Sequence, residues 1–178
     1  MLIFCDSFSA NEKGWPSMLG QSITNSSQNG IGEYKIYKMV MQKKDDVKII
    51  CHTSPWRIHT PFHPVHNKNL ERPNNDFLLS DVDYHSKHND EMKIVKQYWK
   101  KYYDKQFQID LYNLILDKLL GLQNTIHISF HDPNDTARIQ NNFNSIWNDY
   151  PGDVNHLSAE GNKIVAEQIK RIISDTKF

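Results

Sequence analysis

Met1-Leu2-Ile3-Phe4-Cys5-Asp6-Ser7-Phe8-Ser9-Ala10 opens the chain and decides how the remainder is read. The apolar run is too short for a helix and breaks abruptly into Asp-Ser. That is the pattern of a buried central strand that ends by presenting a hydroxyl at a sheet edge. Ser7 is therefore the candidate nucleophile. A serine hydroxyl is a poor nucleophile alone, so the chain must also supply a base, a group to orient the base, and donors for the oxyanion. Taken by itself, Asp6-Ser7 is equally the composition of an ordinary turn that caps the next helix.

At 178 residues the chain fits one domain, 1–178, with enough length to bury a core. Lys plus Arg and Asp plus Glu both number 21, so the net charge is zero and nothing points to nucleic acid or an anionic membrane as a partner. A mean hydropathy of -0.67, with no long apolar run, argues against a spanning helix. The short apolar start lacks the features of a secretory signal, so a cytoplasmic protein is expected. Cys5 and Cys51 each end an apolar stretch, where a thiol behaves as a small hydrophobe. A disulfide between them is not expected, and Cys5 is only a minor alternative nucleophile.

Along the chain, Gly14 to Gly20 reads as a short helix with Pro16 in its first turn. Residues 21 to 29 are weakly strand-like, and Ile31, Tyr34, Tyr37 and Met41 give a helix to about Gln42. Val47 to Cys51 is a second buried strand, ended by Pro55. The stretch from Pro55 to about Asn89 holds four of the seven prolines and five of the nine histidines, with little periodicity, and is expected to be a lid insertion over 55–90. Residues 90 to 121 are helical with a break near Asp104 to Gln108. Thr125 to Phe130 alternates as a strand, 132 to 157 reads mostly as loop, and Ser158 caps a final helix. Strands alternating with helices imply an α/β fold, an open parallel sheet covered on both sides, with ligands beyond the carboxyl ends of the strands.

Just before the last helix stands Asp153-Val154-Asn155-His156-Leu157-Ser158-Ala159-Glu160-Gly161. A carboxylate three residues ahead of a histidine can accept the Nδ1 proton and leave Nε2 to take the proton of Ser7. Asp6-Ser7 near one end and Asp153-x-x-His156 near the other, followed by Leu-Ser-x-x-Gly-x-x-x-Val-Ala, resemble the SGNH, or GDSL-like, hydrolase family. The resemblance covers most of the chain in motif order. It implies a flavodoxin-like three-layer sandwich and a serine esterase working through an acyl-enzyme on a carbohydrate or small-molecule ester, with no cofactor and no metal. Carried over, Ser7, His156 and Asp153 form the triad, and the oxyanion is held by the Ser7 and Gly30 amides.

The sequence departs from the family at two places. Cys5 stands where the first block usually has glycine, and the Gly-x-Asn-Asp block is absent: His52-Thr53-Ser54-Pro55-Trp56-Arg57 follows the second strand instead. The Thr53 or Ser54 hydroxyl is expected in the third oxyanion position, which implies a slower enzyme. This Thr-Ser-Pro-x-Arg form resembles a branch met in phage and bacterial genomes, so a virus-encoded protein is one expectation. Arg57 either binds a substrate anion or anchors its loop by an ion pair.

His59, His63, His66, His85 and His88 invite a zinc reading, but Pro61 and Pro64 interrupt them and no carboxylate sits at an obvious ligand interval. Solvated lid histidines are expected instead. The alternatives to an esterase are an inactive carbohydrate-binding or virion-associated module of the same fold, and a nucleotide-binding flavodoxin-like domain. The second lacks a phosphate-cradling glycine after the first strand.

Overall fold

The computed structural model describes residues 1–10, 13–20, 22–43, 46–66, 75–152 and 156–176. In chain order the elements are β1 (Leu2–Phe4), α1 (Ser7–Ala10), a 3₁₀ turn (Trp15–Met18), β2 (Thr24–Asn25), α2 (Glu33–Met41), β3 (Lys48–His52), α3 (Leu79–His85), α4 (Asp90–Tyr102), α5 (Lys105–Leu120), β4 (Thr125–Ser129), β5 (Asn141–Asn142), α6 (Asn144–Asp149) and α7 (Ala159–Asp175). The five strands form one all-parallel sheet in the order β2-β1-β3-β4-β5. The protein is an α/β sandwich with helices on both faces of that sheet.

Period-two alternation sorts the side chains between the faces. Ile3, Cys5, Ile49, Cys51, Ile126 and Ile128 pack with Trp15, Val165 and Ile169, so the 3₁₀ turn and α7 cover one face. Phe4 and Ile50 pack with Ile36, Val40, Ile115 and Leu119, so α2 and α5 cover the other. The register Ile3↔Ile49 and Ile49↔Ile126 aligns the apolar rows across three strands. Because both faces are covered, β1 and the middle of β3 read as continuous apolar runs, whereas β4 alternates.

The expected break in the long helical stretch falls at Tyr103-Asp104. Asp104 caps α5 by accepting from the Phe107 amide at 3.0 Å, as Asn89 caps α4 from the Met92 amide at 3.0 Å. The Ser158 hydroxyl accepts from the Gly161 amide at 3.2 Å, the cap expected for the last helix.

Two stretches read as irregular contain short elements. α3 lies inside 55–89, and β5 and α6 lie inside 132–157. The stretch 55–90, expected as an insertion, packs on α4: Val82 meets Met92 and Trp99, with Ile58, Val65 and Phe77 against them, and an antiparallel bridge joins Ile58 to Phe77. Such brief elements carry too few residues to show a period. Among the described residues no helix is long and apolar enough to cross a membrane.

Candidate active site

Asp6 organises the turn from β1 into α1. Its Oδ1 accepts from the Phe8 amide at 3.1 Å, so the short helix begins with Ser7 at its first position, half-buried beside the cavity. Phe8 anchors the turn by stacking on Phe130, with ring centroids 4.8 Å apart, and by an edge contact to Trp147 at 5.3 Å. The serine thus stands at the carboxyl end of the strand, where an open parallel sheet binds ligands.

A cavity of about 780 Å³ opens there, and Ser7, Gly30, Ser54, Arg57 and His156 all line it. These residues come from both ends of the chain and from the turns after β2 and β3. His156 lies in an antiparallel pairing of residues 150–152 with 156–158. In it Gly152 donates to the His156 carbonyl at 2.6 Å, Ser158 donates to the Tyr150 carbonyl at 2.9 Å, and Pro151 bridges Leu157. A side chain at Gly152 would meet the Leu157 carbonyl oxygen at 2.5 Å, so only glycine fits this approach. The His156 ring lies 6.3 Å from Phe8, edge-on. No hydrogen bond joins it to Ser7 among the described residues, as is common before substrate arrives. Asp153, the expected orienter, lies outside the described residues.

Of the expected oxyanion hydroxyls, only Ser54 faces the cavity. Its oxygen accepts from the Trp56 amide at 3.3 Å, which leaves its proton free to donate. Thr53 is fully buried and does not line the cavity; its amide donates to Glu33 Oε2 at 3.0 Å. Gly30 has φ of 70°, and a Cβ there would come within 2.4 Å of Asn75 Cγ. The chain therefore brings an asparagine side chain against Gly30 after all. Asn75 lines the cavity, and its Oδ1 is buried without a partner among the described residues. It arrives from the insertion, far from any block position, so motif spacing carried no sign of it.

Arg57 donates to the Gly30 carbonyl at 3.3 Å, and its Nη2 stands 3.7 Å from Asp6 Oδ2. Gln108 holds the Arg57 and Pro55 carbonyls at 3.1 and 2.9 Å. Both expected roles are thus open to Arg57 by position: it anchors the turn and it lines the cavity. Near the same Asp6 oxygen stands His131, which sequence reasoning did not single out, with Nε2 3.9 Å from Oδ2. Burial works against the Asp6 carboxylate, but His131 and Arg57 outweigh it and hold the group below the ordinary range. Burial pushes the Cys5 and Cys51 thiols up, and both are free cysteines, which leaves Cys5 a poor nucleophile.

Beneath the turn after β3 runs a chain of polar contacts between β3, β4 and α2. Thr125 Oγ1 donates to the Leu122 carbonyl at 2.9 Å and so accepts from His127 Nε2 at 2.8 Å. His127 Nδ1 then accepts from His52 Nε2 at 2.8 Å, and His52 Nδ1 meets Glu33 Oε1 at 2.6 Å. The donors run one way, so His52 carries a proton on Nε2 and shares one on Nδ1 with Glu33. Burial and then neighbouring His52 push His127 down to about 3.

The wall opposite Ser7 belongs to the insertion, and Asp76 pins its base. Its Oδ2 accepts from the Gly32 amide at 2.7 Å, while Oδ1 accepts from the Thr60 amide and from Lys35 at 2.8 Å. Further along the same wall three histidines surround Asp81: His63 at 2.9 Å, His66 at 3.1 Å and His85 at 3.3 Å. The expectation of solvated lid histidines fails here, since the His63 side chain is fully buried. Asp81 supplies the carboxylate: it stands one helical turn ahead of His85 on α3, an interval the sequence reading passed over, and reaches His63 and His66 from across the loop. Burial raises the Asp81 pKa, but the bonds from His63 and His66 prevail and hold it at about 2.

Comparison with known proteins finds no matching family model, no matching curated protein and no matching solved structure. Fold and cavity together define the class: an α/β protein with a cleft of mixed polarity at the carboxyl edge of a parallel sheet.

Proposed function

We propose that the chain is a serine ester hydrolase of the SGNH type, with the flavodoxin-like arrangement of that family. Ser7 attacks an ester carbonyl, His156 takes its proton and returns it to the leaving alcohol, and Asp153 orients the imidazole. Water, activated by the same histidine, then hydrolyses the acyl-enzyme. The amides of Ser7 and Gly30 hold the negative oxygen, with the Ser54 hydroxyl and the Asn75 carboxamide as side-chain donors beside them. The half-polar, aromatic-floored cavity suits a carbohydrate or small-molecule ester.

The observation that carries this reading is the convergence of Ser7 and His156, separated by most of the chain, on one cavity at the sheet edge. Turnover of short p-nitrophenyl esters by the wild type, lost in Ser7→Ala and in His156→Ala, is the expected result. Equal turnover by Ser7→Ala would remove the proposal. The missing Gly-x-Asn-Asp block favours a second reading, a carbohydrate-binding module of this fold. It predicts sugar binding with no turnover.

A further inference from the structure

The three imidazoles around Asp81 are not equivalent. His63 Nδ1 accepts from the amides of Val65 and His66 at 3.3 and 3.2 Å, so its proton sits on Nε2 and is donated to Asp81 Oδ2. His63 is thereby a holder of the carboxylate. It fixes Asp81 with Oδ1 turned to the other two rings, His66 Nε2 at 3.1 Å and His85 Nε2 at 3.3 Å.

Around a tetrahedral zinc with bonds near 2.0–2.2 Å, neighbouring donor atoms stand about 3.3 Å apart. Both distances fall at that spacing. The donor atoms of His63, His66 and Asp81 all lie within 4.8 Å of one another, a group that does not include His85, whose ring is in edge contact with that of His66 with centroids 5.2 Å apart. Asp81 and His85 sit one turn apart on α3, while His66 comes from the facing loop, so one bound ion would tie the two segments together. The insertion has use for such a tie, because few fully buried apolar side chains hold it.

We propose that His66 Nε2, His85 Nε2 and Asp81 Oδ1 bind a divalent transition cation of the zinc class, with His63 as the hydrogen-bonded support of the carboxylate. His85 closes on the ion by a side-chain rotation. Imidazole with carboxylate is the donor set that suits this class of ion. Three protein ligands leave a coordination position for water or a ligand oxygen. His66 and Asp81 line the same cavity as Ser7. The site stands on these residues alone and does not depend on the hydrolase reading.

The test is titration of chelator-treated protein with Zn²⁺ by calorimetry and with Co²⁺ by visible absorption, with folding checked by circular dichroism. The expected result is one equivalent bound, with cobalt bands of four- or five-coordinate intensity. Binding should fall at least tenfold in the His66→Ala/His85→Ala double variant, and His63→Leu should weaken it by about 10–100-fold, the usual cost of removing a supporting group. Folded wild type that binds no Zn²⁺, a cobalt spectrum identical to the free ion, or affinity unchanged in the folded double variant would each overturn the proposal. If the double variant does not fold, the wild-type cobalt spectrum decides between the two outcomes.

Discussion

The same residue type builds two groups with opposite physical character. Under the sheet, His52 and His127 form a closed line from Glu33 to the Leu122 carbonyl, and every ring nitrogen already has one partner. In the insertion, His63, His66 and His85 all turn toward one carboxylate, and two of these four groups border the cavity. A closed line holds backbone in place: Glu33 fixes the Thr53 amide and so the turn that carries Ser54 and Arg57. A convergent group gathers donor atoms where something else can be bound. The difference lies in where the nitrogens point, which composition does not reveal.

The contrast can be broken most forcefully at Glu33. Glu33→Ala removes the buried acceptor that meets both His52 Nδ1 and the Thr53 amide, and each buried polar group left without a partner costs about 1–3 kcal/mol. Urea denaturation should show that loss, whereas metal-free Asp81→Asn should cost clearly less, because Asp81 is partly exposed and water replaces what is removed. Equal losses would erase the distinction between the two groups.

Next in size is the effect of Asn75 on the proposed turnover. If Asn75 is an oxyanion donor, Asn75→Ala should lower kcat about 10²–10³-fold with little change in KM. Its Oδ1 lacks a partner among the described residues, so stability should change little. A rise in KM at constant kcat would reassign Asn75 to substrate binding.

A pH effect follows from His127. Its folded pKa is depressed to about 3, against 6.5 for the free ring. The unfolded chain therefore takes a proton that the folded one refuses. Stability is fully present above about pH 6.5 and is lost as the pH falls toward about 3, by at most about 1.4 kcal/mol per pH unit. Denaturation midpoints across that window should fall with acid, and less steeply in His127→Gln. The smallest change expected is at the cap of α7: Ser158→Ala should cost about 1 kcal/mol, since one amide loses its acceptor.

Much of the sheet was legible because β1 and β3 are short apolar runs that end in polar residues and β4 alternates. Ile3, Ile49 and Ile126 announce themselves, as do the Ser158 cap and the break at Asp104. The insertion was not legible for a physical reason. Asp81 reaches His63 and His66 across a chain reversal, Asn75 meets Gly30 through tertiary packing, and neither contact has a fixed sequence interval. His131 was within reach, since it follows β4 at the same sheet edge as Ser7. α6 and β5 were hidden by the Asn-rich stretch around them, which favours turns.

The account's central claim is that Ser7 is an activated nucleophile served by His156. Fluorophosphonate labelling, followed by mass spectrometric location of the adduct, tests it most directly. The account predicts a single adduct on Ser7, absent in Ser7→Ala and strongly slowed in His156→Ala. A folded wild type that takes no label, or an adduct that persists in Ser7→Ala, would contradict it.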